Sequence, residues 1–399
     1  MNRQIFLTLY AILFIGAFSM GMVVPLLSGY AHALGGTPFS IGIVFGIASI
    51  CMMACHPMVG RLSDQKGRKP FIALGLFIGV FTSLGFMAAN SILLLIGVRA
   101  CQGMGGSMVG PVSQAYAGQM TQKGREAFAM GSLNTAGWVG FGLGPVCAGV
   151  IKDGWGMDAA FATRSVLCLA GLCICLFFLP SDPPASEGDD AQPIPQETGM
   201  FARLLLDKAL MHVFLLRIAL YMCIGVFWAF CPLVGETELG MSGMEIGMII
   251  TMGTFAGALC LPLAGKLADK IDKPKLCALG SLLLVSAMIL FAFVRAGADF
   301  YLISLCIGLG SAVILPCLIA IAVISGKKQA SMGRVVSLMA AGDNLGMMLG
   351  PMLCGGLISL VGNRAAFLAT AVIMAGAGLN FLLSGHGAYT QNVKGHAGK

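Results

Sequence analysis

Gly60-Arg-Leu-Ser-Asp64-Gln-Lys-Gly67-Arg68-Lys-Pro70 is a short knot of charge and glycine set between two long apolar runs. Arg61, Lys66, Arg68 and Lys69 crowd into it. Basic residues gather in the cytoplasmic loops of membrane proteins, so this stretch reads as a tight turn at the cytoplasmic face. Gly67 lets the backbone turn without the penalty of a Cβ. Asp64 can pair with Arg68 or sit at a helix N-terminus. The plainer alternative is a basic anchor loop with no moving part.

The rest of the chain agrees with a membrane setting. Charged residues make up 10% of the 399, against the ~25% usual for soluble domains. Apolar residues make up 57%, and mean hydropathy is +0.89. A helical span needs about 20 apolar residues, so the length leaves room for about twelve. They are predicted at 5–27, 39–60, 71–89, 92–118, 128–151 and 160–180, then at 209–234, 243–265, 276–294, 298–325, 332–360 and 364–384. Between the sets, 181–199 is rich in proline and carries five acids and no base. It reads as a disordered cytoplasmic linker, with 201–208 as a short interfacial helix behind it. Domain boundaries follow: a six-helix bundle over 1–180, linker and interfacial helix over 181–208, and a second bundle with a short tail over 209–399.

Counting every basic residue fixes the orientation. Eighteen of the 24 fall on the side of the 60–70 loop, while only Lys152, Arg164, Arg295 and Arg364 fall opposite. Both termini are therefore expected in the cytoplasm. Arg3 precedes an apolar run that lacks a small-residue cleavage site, so the first span is expected to be retained. The net charge of +7 is explained by the cytoplasmic face and asks for no nucleic acid. The fourteen cysteines show neither a disulfide framework nor zinc spacing. Met52, Met53, Cys55, His56 and Met58 are soft ligands, but they equally suit an adaptable apolar helix, and no metal is assigned.

The two sets of six repeat each other. Gly60 and Asp64 recur as Gly265 and Asp269, and Gly103, Gly105 and Pro111 as Gly308, Gly310 and Pro316, all at an offset of 205. Gly140, Gly144 and Pro145 recur as Gly346, Gly350 and Pro351 at 206, and Pro25 pairs with Pro232 at 207. Transporters built from repeats place the substrate near the midplane between the halves.

The loop pattern G-x-x-x-D-x-x-G-R-K resembles the signature loop between helices 2 and 3 of the major facilitator superfamily. Arg99-Ala-Cys-Gln102-Gly-Met-Gly is similar to the helix 4 motif of its proton-coupled members, where the arginine is linked to coupling. Arg99 lies about eight residues, or ~12 Å, inside its span, where a guanidinium needs a cavity or a partner. Gly131, Gly140, Gly144, Pro145 and Gly149 resemble the helix 5 motif of drug/proton antiporters, departing where Ala148 replaces a glycine. Small residues at these intervals permit close helix contact. The resemblance implies an all-α polytopic membrane protein, with 12 transmembrane helices in two six-helix pseudo-symmetric bundles. It also implies a latch at Gly60, Asp64, Gly67 and Arg68, coupling through Arg99 and Gln102, and a hinge along the helix 5 motif.

Asp343 is the one acid near the middle of a span, about eleven residues or ~16 Å into the eleventh. It suits binding and release of a proton, or contact with a cationic substrate; alternatively it bonds another helix or pairs with an arginine. Helices 1 and 7 line the cavity in the resembling family, so Tyr10, Arg217, Tyr221, Trp228 and Asn344 are candidate substrate contacts. Arg217 is aligned with Tyr10 in the repeat. Glu236, Glu238 and Glu245 read as solvated acids of an outer loop. The first span carries no acid, unlike that of many cation-exporting relatives.

The resulting expectation is a multi-pass inner-membrane transporter, acting as a monomer and exporting small molecules such as drugs or metabolites in exchange for protons. The alternatives are an exporter or exchanger of organic anions, metabolites or siderophores, and a non-transporting sensor on the same scaffold. No nucleotide loop, cofactor site or nucleophile constellation points to an enzyme.

Overall fold

The computed structural model describes residues 3–121, 126–181, 206–328 and 332–394. Most of the predicted 181–208 linker, with the five acids of 181–199 and Arg203, lies outside the described residues. Twelve helices are formed among those described, and no strand. They are α1 (Arg3–Ala33), α2 (Pro38–Lys66), α3 (Lys69–Ala88), α4 (Ile92–Met120), α5 (Glu126–Trp155) and α6 (Met157–Phe178). Then follow α7 (Lys208–Thr237), α8 (Gly243–Lys270), α9 (Lys273–Ala292), α10 (Gly297–Lys328), α11 (Met332–Val361) and α12 (Asn363–Lys394). Eleven are long and apolar enough to cross a membrane. The exception is α5, diluted by Asn134 and by Gly131, Gly137, Gly140, Gly142 and Gly144.

Turns between helices are as short as the sequence suggests, and their caps are local. Thr37 Oγ1 accepts from the Ser40 amide (3.3 Å) with Pro38 in the first turn of α2, and Ser91 Oγ accepts from the Leu94 amide (3.4 Å) at α4. These side chains satisfy amides that a helix start leaves without partners. Helix exteriors carry exposed Phe77, Phe81, Leu93, Phe177, Leu263 and Leu360. Apolar surface of that extent is tolerated where acyl chains cover it.

The chain forms two compact units. One contains residues 1–190 with 228–252, and the other 191–227 with 253–399. In the first, α1 packs on α5 and α6, α2 on α4, and α3 on α4 and α6. Leu9, Ile12, Val59, Ile72, Leu76 and Tyr116 belong to its core. In the second, α9 packs on α10 and α12, and α11 on α12.

Taken separately, the units contain the same glycine seams. A Cβ on Gly103 would lie 2.9 Å from Ala48 Cα, and one on Gly308 would lie 3.0 Å from the Gly253 carbonyl carbon. Likewise a Cβ on Gly75 would lie 2.8 Å from the Gly105 carbonyl oxygen and one on Gly280 2.9 Å from that of Gly310. All of these pairs keep the offset of 205. The first helix of each half does not keep the predicted 207. A Cβ on Gly140 would lie 2.5 Å from the Phe14 carbonyl oxygen and one on Gly346 2.5 Å from that of Ile218, while Cβ atoms on Gly144 and Gly350 would lie 2.6 Å from the carbonyl oxygens of Phe18 and Met222. The offset there is 204. Matching Pro25 to Pro232 slid α1 against α7 by most of a turn, so the counterpart of Arg217 is buried Leu13 rather than Tyr10.

Candidate functional site

The charged loop closes on itself. Arg68 donates from Nη2 to Asp64 Oδ1 at 2.7 Å, and its Nη1 donates to Gln119 Oε1, so α2, the start of α3 and the end of α4 are tied together. Asp64 is 54% exposed, and an ion pair this open is worth about 0–1 kcal/mol, weak enough to exchange partners. Gly67 has φ +86° and ψ 154°, a conformation that side chains resist. Replacing it by alanine is expected to destabilise the protein by about 1–3 kcal/mol. Gly60→Ala is expected to change stability by less than about 1 kcal/mol, because its Cβ enters open space. Thermal unfolding of the two variants in detergent checks the contrast.

Arg99 is buried, and three of its nitrogens are used: Nε donates to the Val44 carbonyl (2.9 Å), Nη1 to Gln102 Oε1 (2.7 Å) and Nη2 to the Phe45 carbonyl (3.3 Å). Its guanidinium lies 5.8 Å from the centre of the Phe45 ring. The arginine is thus clamped to α2 by dipoles rather than by an acid. Gln102 Nε2 is buried without a hydrogen-bond partner among the described residues.

Arg164 differs from the expectation that it lies with the outer charges. It is buried in α6, donating from Nε to the Ser19 carbonyl (3.0 Å) and from Nη1 to the Gly79 carbonyl (3.2 Å) and Ser83 Oγ (2.6 Å). A position near a span end does not determine which way a long side chain folds. Arg164 joins α1, α3 and α6, and among the described residues neither it nor Arg99 has a carboxylate partner.

The second unit holds the opposite arrangement. Arg217 on α7 donates from Nε to Asp343 Oδ1 (2.6 Å) and from Nη2 to Oδ2 (2.5 Å), a two-pronged pair. Such pairs fix geometry as well as charge. The Arg217 side chain is 8% exposed and that of Asp343 22%, so the acid is the accessible member. Of the alternatives open for Asp343, pairing with an arginine is the one found. Tyr221, one turn along α7, has its ring centre 5.9 Å from the guanidinium carbon. Arg217 Nη1 is buried with no hydrogen-bond acceptor among the described residues. Asn344 turns away, donating to the Ala340 carbonyl of its own helix (2.8 Å).

The α5 glycines are contact points of unequal weight. Gly140 and Gly144 lie against the α1 backbone, and a Cβ on Gly149 would lie 2.8 Å from the Met244 amide, while Gly131 faces open space. Pro145 meets Gly21, whose Cβ would lie 3.2 Å from its Cδ. Trp228 packs its ring on Phe141 at 4.9 Å. Tyr10 lies 6.3 Å from Phe6 and packs on the core of the first unit.

The model of the Major Facilitator Superfamily matches residues 9–332 and 213–397. The chain belongs to this superfamily. As a facilitator it is a multi-pass membrane transporter and not an enzyme. It is 27% identical over 387 residues to the multidrug resistance protein MdtG of Enterobacter lignolyticus (strain SCF1), covering 91% of this chain and 88% of that one. It is equally identical over 378 residues to MdtG of Escherichia coli (strain SMS-3-5 / SECEC), covering 90% and 89%. Among solved structures, the nucleoside transporter NupG superimposes with a TM-score of 0.79 at 15% identity, over 96% of this chain and 99% of that one. A bacterial homolog of the human lysosomal transporter Spinster gives 0.78 at 14%, over 98% and 99%.

In this facilitator the predicted site residues are brought together in groups: Asp64 with Arg68, Arg99 with Gln102, and Arg217 with Tyr221 and Asp343. Tyr10 and Trp228 join neither of the buried charge clusters. Glu236 corrects the reading of a solvated acid: it is part-buried and paired with Lys152 of α5. Arg164, Lys152 and Asp153 were not anticipated as structural partners. The only sequence signal for any of them was charge close to a span end.

Proposed function

We propose that this facilitator exports small molecules across the inner membrane in exchange for protons. The halves over 1–180 and 209–399 would rock about a central site, with both termini in the cytoplasm and the monomer as the working unit. The observation carrying the reading is the Arg217–Asp343 pair. A carboxylate held by two prongs at mid-span, yet partly accessible, can take a proton and release the arginine, changing which contacts hold α7 to α11. Arg99 clamps α4 to α2, and the Asp64–Arg68–Gln119 cluster is an openable tie at the cytoplasmic ends. The MdtG relatives, named for multidrug resistance, supply the substrate range. The test is flux in proteoliposomes with an imposed pH gradient. Antiport predicts that an acidic lumen drives uptake of a fluorescent lipophilic drug and that nigericin abolishes it; flux indifferent to the gradient overturns proton exchange.

A second reading, export or exchange of an organic anion, is favoured by one specific feature. Asp343 is already neutralised by Arg217, whose Nη1 lacks an acceptor among the described residues, so the pair offers a cation little and an anion more. Arg217→Gln should abolish flux of an anionic substrate and Arg217→Lys, which keeps the charge, should retain part of it. Anion flux that survives Arg217→Gln removes this reading.

A further inference from the structure

At the face opposite the 60–70 loop, the end of α5 is bonded to α7 and α8 within the first compact unit. Asp153 accepts from two successive backbone amides at the start of α8, Gly243 N to Oδ1 at 2.9 Å and Met244 N to Oδ2 at 2.7 Å. The next amide, Glu245 N, donates to Ser242 Oγ (3.2 Å), and the Glu245 carboxylate in turn accepts from Ser242 N (2.8 Å), a reciprocal capping box. Ile246 N reaches the Ser242 carbonyl at 3.2 Å. Every amide of the first turn of α8 therefore has an acceptor, and two of the four acceptors come from a helix ninety residues away. A carboxylate at this position also meets the positive end of the helix dipole.

Beside it, Lys152 Nζ donates to the Glu236 carboxylate at the end of α7. The approach depends on missing side chains: a Cβ on Gly243 would sit 2.8 Å from Asp153 Oδ1 and 3.2 Å from the Gly149 carbonyl. Lower down, Thr251 Oγ1 donates to the Gly142 carbonyl at 2.7 Å.

We infer that Lys152 and Asp153 form the lock of the outer gate, with Asp153 acting as a removable N-cap of α8 supplied by α5. When α5 parts from α8, the Gly243 and Met244 amides lose their acceptors while the Ser242–Glu245 box stays, so the helix start loosens by one turn without unravelling. Gly149, expected from sequence as part of a hinge, is the close-contact face of this lock. The consequence for transport rests on the alternating-access reading; the cap itself does not.

The test is hydrogen exchange by mass spectrometry on the full chain in nanodiscs, following the peptide that contains Gly243 and Met244. Asp153→Ala should speed exchange there by about tenfold, the factor expected when a helix cap is removed, and Asp153→Asn, which retains one acceptor oxygen, by less. Lys152→Glu and Glu236→Lys should each speed it severalfold, and the double exchange should return it to within about twofold of wild type. Unchanged exchange in Asp153→Ala, or a charge-swapped double variant no better than its singles, overturns the lock. Since this readout needs no substrate, a lock that responds in a protein showing no proton-linked flux would defeat the proposed function alone. Proton-linked flux with unresponsive amides would defeat the lock alone.

Discussion

Asp343→Asn should abolish the proposed proton-linked flux and cost the protein more stability than Arg217→Gln; this asymmetry is the largest effect expected of any polar substitution. Both variants remove the same two-pronged contact, yet they leave different orphans. A carboxyl left alone can accept a proton and become neutral, whereas a guanidinium stays charged under any condition the protein survives. Arg217 is 8% exposed on its side chain, and its Nη1 is already without an acceptor among the described residues. Asp343→Asn therefore leaves a buried cation facing one neutral amide oxygen and no compensating charge, at a cost of about 3–5 kcal/mol. The double variant Arg217→Gln with Asp343→Asn should recover most of that stability, because two neutral groups can bond each other, and still show no proton-linked flux. Thermal unfolding of the three variants, alongside proteoliposome flux under a pH gradient, checks both halves. An Asp343→Asn protein that keeps gradient-driven flux removes this carboxylate from the coupling step.

Most of the fold was legible because it is written in periodic and local signals. Spans of about twenty apolar residues and a charge bias on alternate loops led to the helices, and glycines repeating at 205 to the repeat, while the seams those glycines form between α2 and α4 or α8 and α10 came only with the structure. The repeat failed where a single residue type was matched without its contacts. Pro25 and Pro232 each sit inside a helix, but the packing of Gly140 and Gly346 sets an offset of 204, and the proline alignment paired Arg217 with the wrong residue. Site residues were legible one by one rather than in combination. Arg217 and Asp343 each stood out as charge within a span, but their bond joins positions 126 apart, and periodicity does not resolve which helix faces turn together. Arg164 and Asp153 were hidden for a related reason. Near a span end a charge can turn to solvent or inward, and only tertiary contacts decide.

Gly103→Val or Gly308→Val should sharply lower the yield and stability of folded protein, and the reason ties the seams to the charged site. A Cβ on Gly103 would lie 2.9 Å from both Cα and the carbonyl carbon of Ala48, and one on Gly308 would lie 3.0 Å from the Gly253 carbonyl carbon and 3.2 Å from the Gly257 amide. These neighbours are backbone and cannot swing aside as a side chain would, so the helices must separate. Overpacking of this kind costs about 1–3 kcal/mol or more. Gly106→Ala and Gly110→Ala on the same helix serve as controls, since the first would meet only Met52 Sδ at 3.5 Å and the second nothing. Size-exclusion profiles and melting temperatures in detergent should rank the seam variants far below the controls; equal stability would show that the α2–α4 approach is not tight. Alanine at 103 makes the finer point. It sits one turn from Arg99, whose Nε bond to the Val44 carbonyl measures 2.9 Å, and moving α2 outward by about 0.5 Å stretches that bond past the usual 3.2 Å limit. Such a protein can remain folded through the rest of its core while Arg99 loses its acceptors, so flux should fall further than stability does. In the second unit the equivalent of Arg99 is Ser304, against which a Cβ on Gly253 would press at 2.6 Å from the carbonyl oxygen. The same alanine substitution at Gly308 should therefore cost stability without a separate loss of coupling, which makes the pair of repeats its own internal control.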